Sequence, residues 1–293
     1  APSAIKSPIS PFVPHSLDNQ SIEKQIDDFV KCACLAKSAG YDGIEIMGSE
    51  GYFINQFLVE HTNKRDDSWG GSYENRMRLP IKIAEKIRSA VGKNFLLIFR
   101  LSMIDLIPNG SSHDEVVVLA KELEIAGINI INTGIGWHEA RIPTIATSVP
   151  PAAFTWVTKK LMGKIKIPLI TSNRINTPEK VEEVLKSKCA DLVSMARPFL
   201  ADPEFVNKAS EGKSQLIAPC IACNQACLDH TFKGQISSCL VNPRACFESE
   251  LELKMVSNSK NIGIVGAGPA GLSAAITAAQ IGHKVTVFEK EQE

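Results

Sequence analysis

Helical and strand-like stretches alternate strictly between about residues 20 and 205, five times in succession. The helical stretches repeat apolar residues every three or four positions, and the stretches between them are short and almost entirely apolar. This alternation predicts parallel strands joined by crossover helices, and strands that are apolar at nearly every position are typical of a sheet buried on both faces. The predicted strands lie at residues 43–47, 95–100, 128–132, 168–171 and 191–195. The predicted helices lie at residues 22–36, 73–90, 114–126, 151–162 and 178–186.

Two closures of such a sheet compete, an open doubly wound sheet and a (β/α)8 barrel. Residues that can bind or react follow every one of the five predicted strands within a few positions. Because the active site of a barrel is built from the loops at the carboxyl ends of its strands, this pattern favours the barrel. We therefore predict an α/β fold in which residues 1–205 form the C-terminal five strand–helix units of a TIM barrel.

This part of the chain is short for a whole barrel, which takes about 250 residues and eight strands. The chain has 293 residues and begins with Ala1-Pro2-Ser3, without a methionine. Its last segment, residues 259–293, holds a single βαβ unit, which cannot bury its own faces. We therefore expect the first barrel strands and most of a last domain to lie outside this chain, and the chain alone to be inactive.

The composition excludes several classes of protein. Lys and Arg total 32, as do Asp and Glu, so no bulk charge attracts the chain to nucleic acid or to an anionic membrane. Residues 262–282 carry no charge, but five glycines and a strand–turn–helix pattern argue against a membrane span. Eight cysteines are too few for a disulfide scaffold, and their clustering predicts a metal site in a reducing compartment, the cytoplasm.

Four of the cysteines form a motif in the segment 206–258, at Cys220, Cys223, Cys227 and Cys239. Three thiolates within eight residues and a returning fourth suit the ligation of a [4Fe–4S] cluster. A structural zinc also takes four cysteines, although usually as two close pairs. The spacing favours the cluster, and the zinc alternative corresponds to a non-enzymatic binding platform on a barrel scaffold.

A glycine-rich motif opens the last segment. Gly266, Gly268 and Gly271 form a GxGxxG turn between an apolar strand and a helix, which lets a pyrophosphate approach backbone N–H groups and the helix N-terminus. A second strand follows and ends in Glu289, 18 residues beyond Gly271, where a carboxylate meets ribose hydroxyls. An acidic residue at this place predicts FAD or NAD and disfavours a 2′-phosphate.

The residues at the ends of the predicted strands suggest their own chemistry. Arg100 places a cation where it can favour a reduced flavin, and Arg174 and Arg197 follow the last two strands, where barrels commonly hold a phosphate. A phenol keeps its proton at neutral pH, so Tyr52 suits a proton donor to a carbanion. His138 can orient Tyr52 or polarise a carbonyl group.

The stretch from residue 62 to residue 76, which contains Trp69, Gly70 and Gly71, resembles the signature of the flavin oxidoreductases related to old yellow enzyme. We expect this box to be structural, with Ser72 as a helix N-cap and Glu74 in the first turn. Together with four further segments, the chain resembles the bacterial-type, NADPH-dependent 2,4-dienoyl-CoA reductases. Those segments are residues 48–52, 132–144, 220–239 and 240–245.

The resemblance implies a set of cofactors and roles. FMN lies in the barrel, one [4Fe–4S] cluster is bound by the four cysteines, FAD is bound in the last domain, and NADPH supplies the electrons. Tyr52 and His138 are then the catalytic pair, and the substrate is an acyl-CoA thioester reduced during the β-oxidation of unsaturated fatty acids. The residues that the resemblance assigns to FMN are Arg100, Arg174, Ala196 and Arg197. The alternatives are other flavin and iron–sulfur oxidoreductases, such as an amine dehydrogenase or an enoate or steroid-type reductase.

Overall fold

The structure, a computed structural model, describes residues 1–291. These residues divide into two compact units, residues 1–224 and the residues from 225 onward. The division falls inside the predicted cysteine segment, so Cys220 and Cys223 belong to the first unit and Cys227 and Cys239 to the second.

The first unit is an α/β structure. Its strands are β1 (Gly43–Gly48), β2 (Leu96–Ile104), β3 (Ile130–Ile135), β4 (Leu169–Thr171) and β5 (Leu192–Val193). Its helices are α1 (Asn19–Ser38), α2 (Phe53–Leu58), α3 (Tyr73–Arg76), α4 (Arg78–Val91), α5 (His113–Ile125), α6 (Thr155–Leu161), α7 (Pro178–Lys186), α8 (Arg197–Ala201) and α9 (Phe205–Ser210). A short 3₁₀ turn, Ser214–Leu216, follows them.

The five strands form one parallel sheet in the order β1-β2-β3-β4-β5, which confirms the predicted α/β fold and its strand–helix alternation. A doubly wound sheet reverses its strand order at a switch point, whereas the strands of a barrel follow one another in sequence. The sequential order of β1 to β5 is therefore the order expected of consecutive barrel strands.

The core of the first unit lies between the sheet and the helices on it. Leu97, Phe99 and Leu101 alternate along β2 and are almost completely buried, as are Ile83 and Ile87 of α4. Helix α1 packs on α4, and α4 packs on α5. This packing fixes the strands, so that the loops after their carboxyl ends hold defined positions.

Two of the predicted helices differ from the observed ones. The helix predicted over residues 73–90 is split at Met77 into α3 and α4, because Pro80 has no N–H to donate to the carbonyl of Arg76. The helix predicted from residue 151 begins at Thr155, because Ala152 has a φ of +58° and cannot belong to a right-handed helix.

The box of residues 62–76 is structural, as predicted. The Asn63 side-chain amide donates to the carbonyls of Phe57 (2.7 Å) and Trp69 (2.8 Å). Ser72 is the N-cap of α3, where its hydroxyl accepts from the N–H of Asn75, and Glu74 lies in the first turn. The box therefore joins the loop after α2 to the start of the next helix.

The second unit begins with a π-helical turn (Gln225–Asp229) and the short α10 (His230–Phe232). The parallel strands β6 (Asn261–Val265) and β7 (Lys284–Phe288) follow, with α11 (Pro269–Gln280) between them. The exposure of Val265 is 90%, which matches the expectation that one βαβ unit leaves its apolar faces uncovered. None of the helices in residues 1–291 is long and apolar enough to cross a membrane.

Candidate active site

Tyr52 and His138 lie side by side at the carboxyl end of the sheet. Tyr52 follows β1 and is the N-cap residue of α2, with its N–H donating to the Ser49 carbonyl (3.2 Å). His138 follows β3, and its N–H donates to the Glu50 carbonyl (3.4 Å). The two rings meet edge to face, with centroids 5.2 Å apart and planes at 73°. Two loops far apart in sequence thus bring the two predicted catalytic side chains together.

A pocket of about 250 Å³ opens beside this pair. Trp137 forms part of its wall, and the N-terminal segment, residues 1–14, adds apolar side chains, among them Ile5 and Phe12. Tyr52 lines the pocket and is 49% exposed. The pocket is therefore shaped for a largely apolar molecule whose reacting part reaches Tyr52 and His138.

The N-terminal segment is held in place by polar contacts to the rest of the first unit. The Ser7 hydroxyl donates to the Glu139 carboxylate (2.5 Å), whose other oxygen lies 3.7 Å from Nε2 of His61. The backbone N–H of Lys64 donates to the hydroxyl of Ser3 (2.9 Å). Glu139 thus joins the N-terminal segment, which covers the pocket, to the loop that carries His138.

Glu50 was not predicted from the sequence as a site residue, yet it lies next to the pair. Its carboxylate accepts from Nε and Nη2 of Arg100, 2.9 and 2.8 Å from Oε1, and from the hydroxyl of Ser49 (2.7 Å). Glu50 has a φ of +56°, a position that is costly for a residue other than glycine and is common at functional sites. Arg100 therefore lies within β2 and not at the strand end as predicted, because the strand continues to Ile104, and it is one half of an ion pair.

The positive charges after β4 and β5 fit the phosphate of FMN. Nε of Arg174 donates to the Val149 carbonyl (2.8 Å), and Arg197 donates to the Ile145 carbonyl (3.0 Å) and to the side-chain oxygen of Asn224. All three acceptors are neutral, and within residues 1–291 the ion pairs of arginine involve other arginines. Two cations without a counter-ion, at the strand ends where barrels bind phosphate, suit that group.

The backbone after β4 and β5 is also unusual. Asn173 and Arg174 have φ values of +70° and +56°, so the chain turns sharply directly after Ser172. The Ser172 hydroxyl donates to the Thr133 carbonyl (3.0 Å) and ties this turn to β3. Ala196, which the resemblance assigns to FMN, immediately precedes α8 and is exposed.

The four motif cysteines are divided between the two units, and each unit is described by itself. In the first unit, Sγ of Cys220 accepts from the N–H of Ala222 (3.4 Å), and Ala222 and Asn224 have φ values of +55° and +63°. The Ala222 N–H thus points at a cysteine sulfur, and positive-φ residues that direct N–H groups at an anion are common around iron–sulfur sites. Within each unit, the described residues contain no group of three or more His, Cys, Asp or Glu side chains placed to bind a metal ion. The cluster therefore stays a prediction.

The glycine-rich turn of the second unit has the predicted strand–turn–helix form. Gly266 has a φ of +100°, and a Cβ on Gly271 would lie 2.0 Å from the Gly266 carbonyl oxygen, so neither position accommodates a side chain. Gly268 is the N-cap of α11. Glu289 accepts from the N–H of Ala267 (2.7 Å), and this hydrogen bond, with those from residues 290 and 291, holds the pKa of its carboxyl below the ordinary value.

Comparison with known proteins finds a family match in each unit. The profile of the NADH:flavin oxidoreductase / NADH oxidase family matches residues 1–215, and that of an NAD(P)-binding Rossmann-like domain matches residues 264–293. A metal reductase of Desulforamulus reducens is 42% identical over 293 residues, which is 100% of this chain and 44% of that protein.

Solved structures show the same relationship. The complex of 2-naphthoyl-CoA reductase with 2-naphthoyl-CoA superposes with a TM-score of 0.96 at 36% identity, covering 100% of this chain and 45% of that one. Histamine dehydrogenase from Rhizobium sp. 4-9 superposes with a TM-score of 0.85 at 29% identity, covering 97% of this chain and 42% of that one. The chain spans less than half the length of these relatives, and it belongs to the old yellow enzyme-like NADH:flavin oxidoreductase / NADH oxidase family.

Proposed function

We propose that the whole protein reduces 2,4-dienoyl-CoA to enoyl-CoA with electrons from NADPH, as the β-oxidation of unsaturated fatty acids requires. The observation that carries this proposal is the edge-to-face contact of Tyr52 with His138 in a pocket to which Trp137, Ile5 and Phe12 add apolar surface. A protonated phenol beside an imidazole is suited to deliver a proton to carbon, and the apolar cover suits an acyl chain.

The reaction divides between the cofactor and the side chains of this chain. FMN, when bound, supplies the hydride that adds to the δ-carbon of the dienoyl group. The electron pair of the conjugated system moves toward the thioester carbonyl oxygen, and the Tyr52 hydroxyl gives its proton to the carbon chain. His138 orients the phenol and helps to return a proton to it from solvent. One C=C bond is thus replaced by two C–H bonds, one from the hydride and one from the proton.

The charges around the pocket favour a thioester over a cationic amine. Both carboxylates of the pocket wall are already held by donors of the protein, Glu50 by Arg100 and Glu139 by Ser7 with His61 close by. Within residues 1–291, Lys6, which also lines the pocket, forms no ion pair. A cationic substrate would find no carboxylate free of protein donors here, whereas a neutral acyl group with an anionic CoA portion fits the charge.

We also propose that Cys220, Cys223, Cys227 and Cys239 hold a [4Fe–4S] cluster, and that Gly266, Gly268, Gly271 and Glu289 hold FAD. When bound there, FAD and the cluster would supply one-electron and two-electron redox chemistry between NADPH and FMN, in the order FAD and then cluster. Support for the cluster comes from its all-thiolate donor set, the N–H···S hydrogen bond to Cys220 and the positive φ values of Ala222 and Asn224. Support for the dinucleotide site comes from the match to a Rossmann-like domain and from the glycine-rich turn, where Gly266 and Gly271 do not accommodate a side chain.

The experiment is a turnover assay of the whole purified protein with NADPH, under anaerobic conditions. Substrates are a 2,4-dienoyl-CoA, the matching 2-enoyl-CoA, cinnamate and histamine, with disappearance of NADPH or reduction of an added dye as the signal. We expect turnover with the dienoyl-CoA to exceed that with each other compound by at least about tenfold. Equal or faster turnover of cinnamate or histamine contradicts the proposed substrate.

Metal analysis tests the rest of the proposal. A brown protein with about four irons per chain and matching sulfide supports the cluster. A colourless protein with one zinc and no turnover instead supports the binding platform.

A further inference from the structure

Asp105 is a buried carboxylate for which the proposed reaction has no direct use. It is the first residue after β2 and is 2% exposed. Its Oδ1 accepts from the Ser102 hydroxyl (2.7 Å), Nε1 of Trp137 (2.8 Å) and Nδ2 of Asn55 (3.2 Å), and its Oδ2 accepts from the N–H of Ser111 (2.7 Å). Four donors pointing at one side chain hold it in a single orientation, and burial makes every one of these bonds costly to break.

One of these bonds leads to Tyr52. Asn55 is completely buried, and its Oδ1 accepts from the N–H of Gly51 (3.0 Å) while its Nδ2 donates to Asp105. The Gly51 carbonyl accepts from Nε2 of Gln56 (2.8 Å). Both sides of Gly51 are therefore fixed, and Gly51 is the residue that directly precedes Tyr52.

Another bond leads to His138. The Asp105 carboxylate accepts from the indole of Trp137, and the Asp105 backbone carbonyl accepts from the N–H of Trp137 (2.9 Å). Asp105 thus holds Trp137 at two points, and Trp137 is the residue that directly precedes His138.

The two connections from Asp105, through Asn55 to Gly51 and through Trp137, also contact each other. Gly51 has a φ of +84°, and a Cβ at this position would lie 2.7 Å from the indole ring of Trp137. The indole therefore packs directly on the peptide that leads into Tyr52. A rotation of the indole would move both loops, because it is the surface on which they meet.

From this arrangement we propose that Asp105 is a positioning residue that sets the distance and angle between Tyr52 and His138, through Asn55 on one side and Trp137 on the other. The inference rests on the proposed role of this pair in proton donation. Small errors of position at a reacting centre are costly, about 100-fold in rate for a displacement of about 1 Å. Loss of the carboxylate should therefore slow proton delivery while leaving hydride supply and substrate affinity nearly unchanged.

Asp202 provides a matched control. It is 4% exposed and accepts from the backbone N–H groups of Glu204 and Ala218, both at 3.0 Å, and from Nζ of Lys208 (2.6 Å). It resembles Asp105 in burial and in accepting several hydrogen bonds, although one of its donors is the charged Lys208, and its hydrogen bonds lead to neither Tyr52 nor His138. Asp105→Asn and Asp202→Asn thus make the same chemical change in two buried networks.

The test uses the whole protein and compares these two variants with Trp137→Phe, which keeps an aromatic ring near Gly51 and removes the N–H donor to Asp105 together with part of the indole ring. Tyrosine labelled with ¹³C at the hydroxyl-bearing ring carbon gives a signal for Tyr52, assigned by its loss in Tyr52→Phe. We expect Asp105→Asn and Trp137→Phe to shift this signal and to lower kcat about 10- to 100-fold, with KM changed less than about threefold. Asp202→Asn should leave the signal in place and kcat within about twofold.

The rate of flavin reduction by NADPH, measured without acyl substrate, should be the same in all variants. If Asp105→Asn does not fold, Trp137→Phe decides the question by the same two readouts. An unchanged Tyr52 signal, or a loss of kcat as small as that of Asp202→Asn, overturns the positioning role. A wild-type protein that does not reduce dienoyl-CoA overturns the proposed function instead, and the Tyr52 signal still tests the role of Asp105.

Discussion

Glu50, which follows β1, forms a two-point ion pair with Arg100, which lies within the neighbouring strand β2. Nε and Nη2 of Arg100 lie 2.9 and 2.8 Å from Oε1 of Glu50, and the two side chains are only 20% and 10% exposed. Glu50 also lies close to the Tyr52–His138 pair, because its backbone carbonyl accepts from the N–H of His138 (3.4 Å). Glu50, which lines the pocket, thus belongs to a charge pair with little solvent around it, so that the removal of one partner has consequences different from the removal of both.

We expect Arg100→Met to lower the free energy of unfolding of the first unit by about 3 kcal/mol, because it leaves Glu50 as a nearly buried charge without its partner. The double variant Glu50→Gln with Arg100→Met should recover most of this loss. Urea unfolding followed by the fluorescence of Trp69, Trp137 and Trp156, all in the first unit, measures both. A double variant as unstable as Arg100→Met would show that the pair is not coupled.

Tyr52→Phe should lower kcat by about 100-fold or more, because the proton donor is lost while the ring and its contact with His138 are kept. The flavin content of the purified protein should not change, since Tyr52 has no part in the proposed phosphate site. His138→Gln should have a smaller effect, because it removes only the orienting partner. Wild-type turnover by Tyr52→Phe would exclude this tyrosine as the donor.

The acid stability of the first unit should depend on Asp67. Hydrogen bonds from Arg65, at 2.9 and 2.5 Å, hold the pKa of the Asp67 carboxyl below its ordinary value of 3.8. A carboxyl with a lowered folded-state pKa stabilises the fold above its unfolded pKa, and this stabilisation is lost as the pH falls through the folded pKa. The free energy of unfolding should therefore decrease below about pH 3.8, and less steeply in Asp67→Asn. Asp66→Asn, at the exposed neighbouring position, is the control and should follow the wild type.

Gly271→Ala should disrupt the dinucleotide turn of the second unit, because the new Cβ would lie 2.0 Å from the Gly266 carbonyl oxygen. Overpacking of this kind costs about 1–3 kcal/mol, and the displaced turn no longer presents its N–H groups to a pyrophosphate. The FAD content of the purified variant measures the effect. Gly263→Ala is the control, since its Cβ would meet the Phe288 ring at an ordinary 3.5 Å, and it should retain FAD.

Cys223→Ser should remove most of the iron and the visible absorbance of the proposed cluster, because serine is a poor ligand for iron in place of a thiolate. Cys189→Ser is the matched control, since both cysteines lie in the first unit and are half-buried, but only Cys223 belongs to the motif. Iron and sulfide analysis with the visible spectrum measures both variants. Equal iron content in the two would exclude Cys223 as a ligand.

Much of this fold is readable from local patterns. The strand–helix alternation, the glycine-rich turn and the structural box all depend on residues close in sequence, because hydrophobic period, capping and backbone freedom are local properties. The same holds for Tyr52 and His138, since residues that directly follow parallel strands gather at one edge of the sheet whatever the details of the loops.

Asp105 is a residue whose role local sequence patterns do not predict. The sequence predicts that the second strand ends at residue 100, whereas β2 runs to Ile104, so Asp105 is not recognised as a strand-end residue. The continued apolar character of Met103 and Ile104 is the one local signal that could have extended the strand. Glu50 was missed for a different reason: its direction depends on a positive φ, which the sequence does not reveal for a residue other than glycine.

The sequence by itself determined the elements, their order and the chemical groups available at the strand ends. Only the tertiary structure decided which of these groups are paired. Arg100 forms an ion pair with Glu50, whereas Arg174 and Arg197 form none within residues 1–291. The structure also shows that Asp105 connects the two loops of the candidate active site. The reason is physical. Periodicity and capping act between neighbours along the chain, whereas hydrogen bonds and ion pairs form between side chains that only packing brings within about 3 Å of each other.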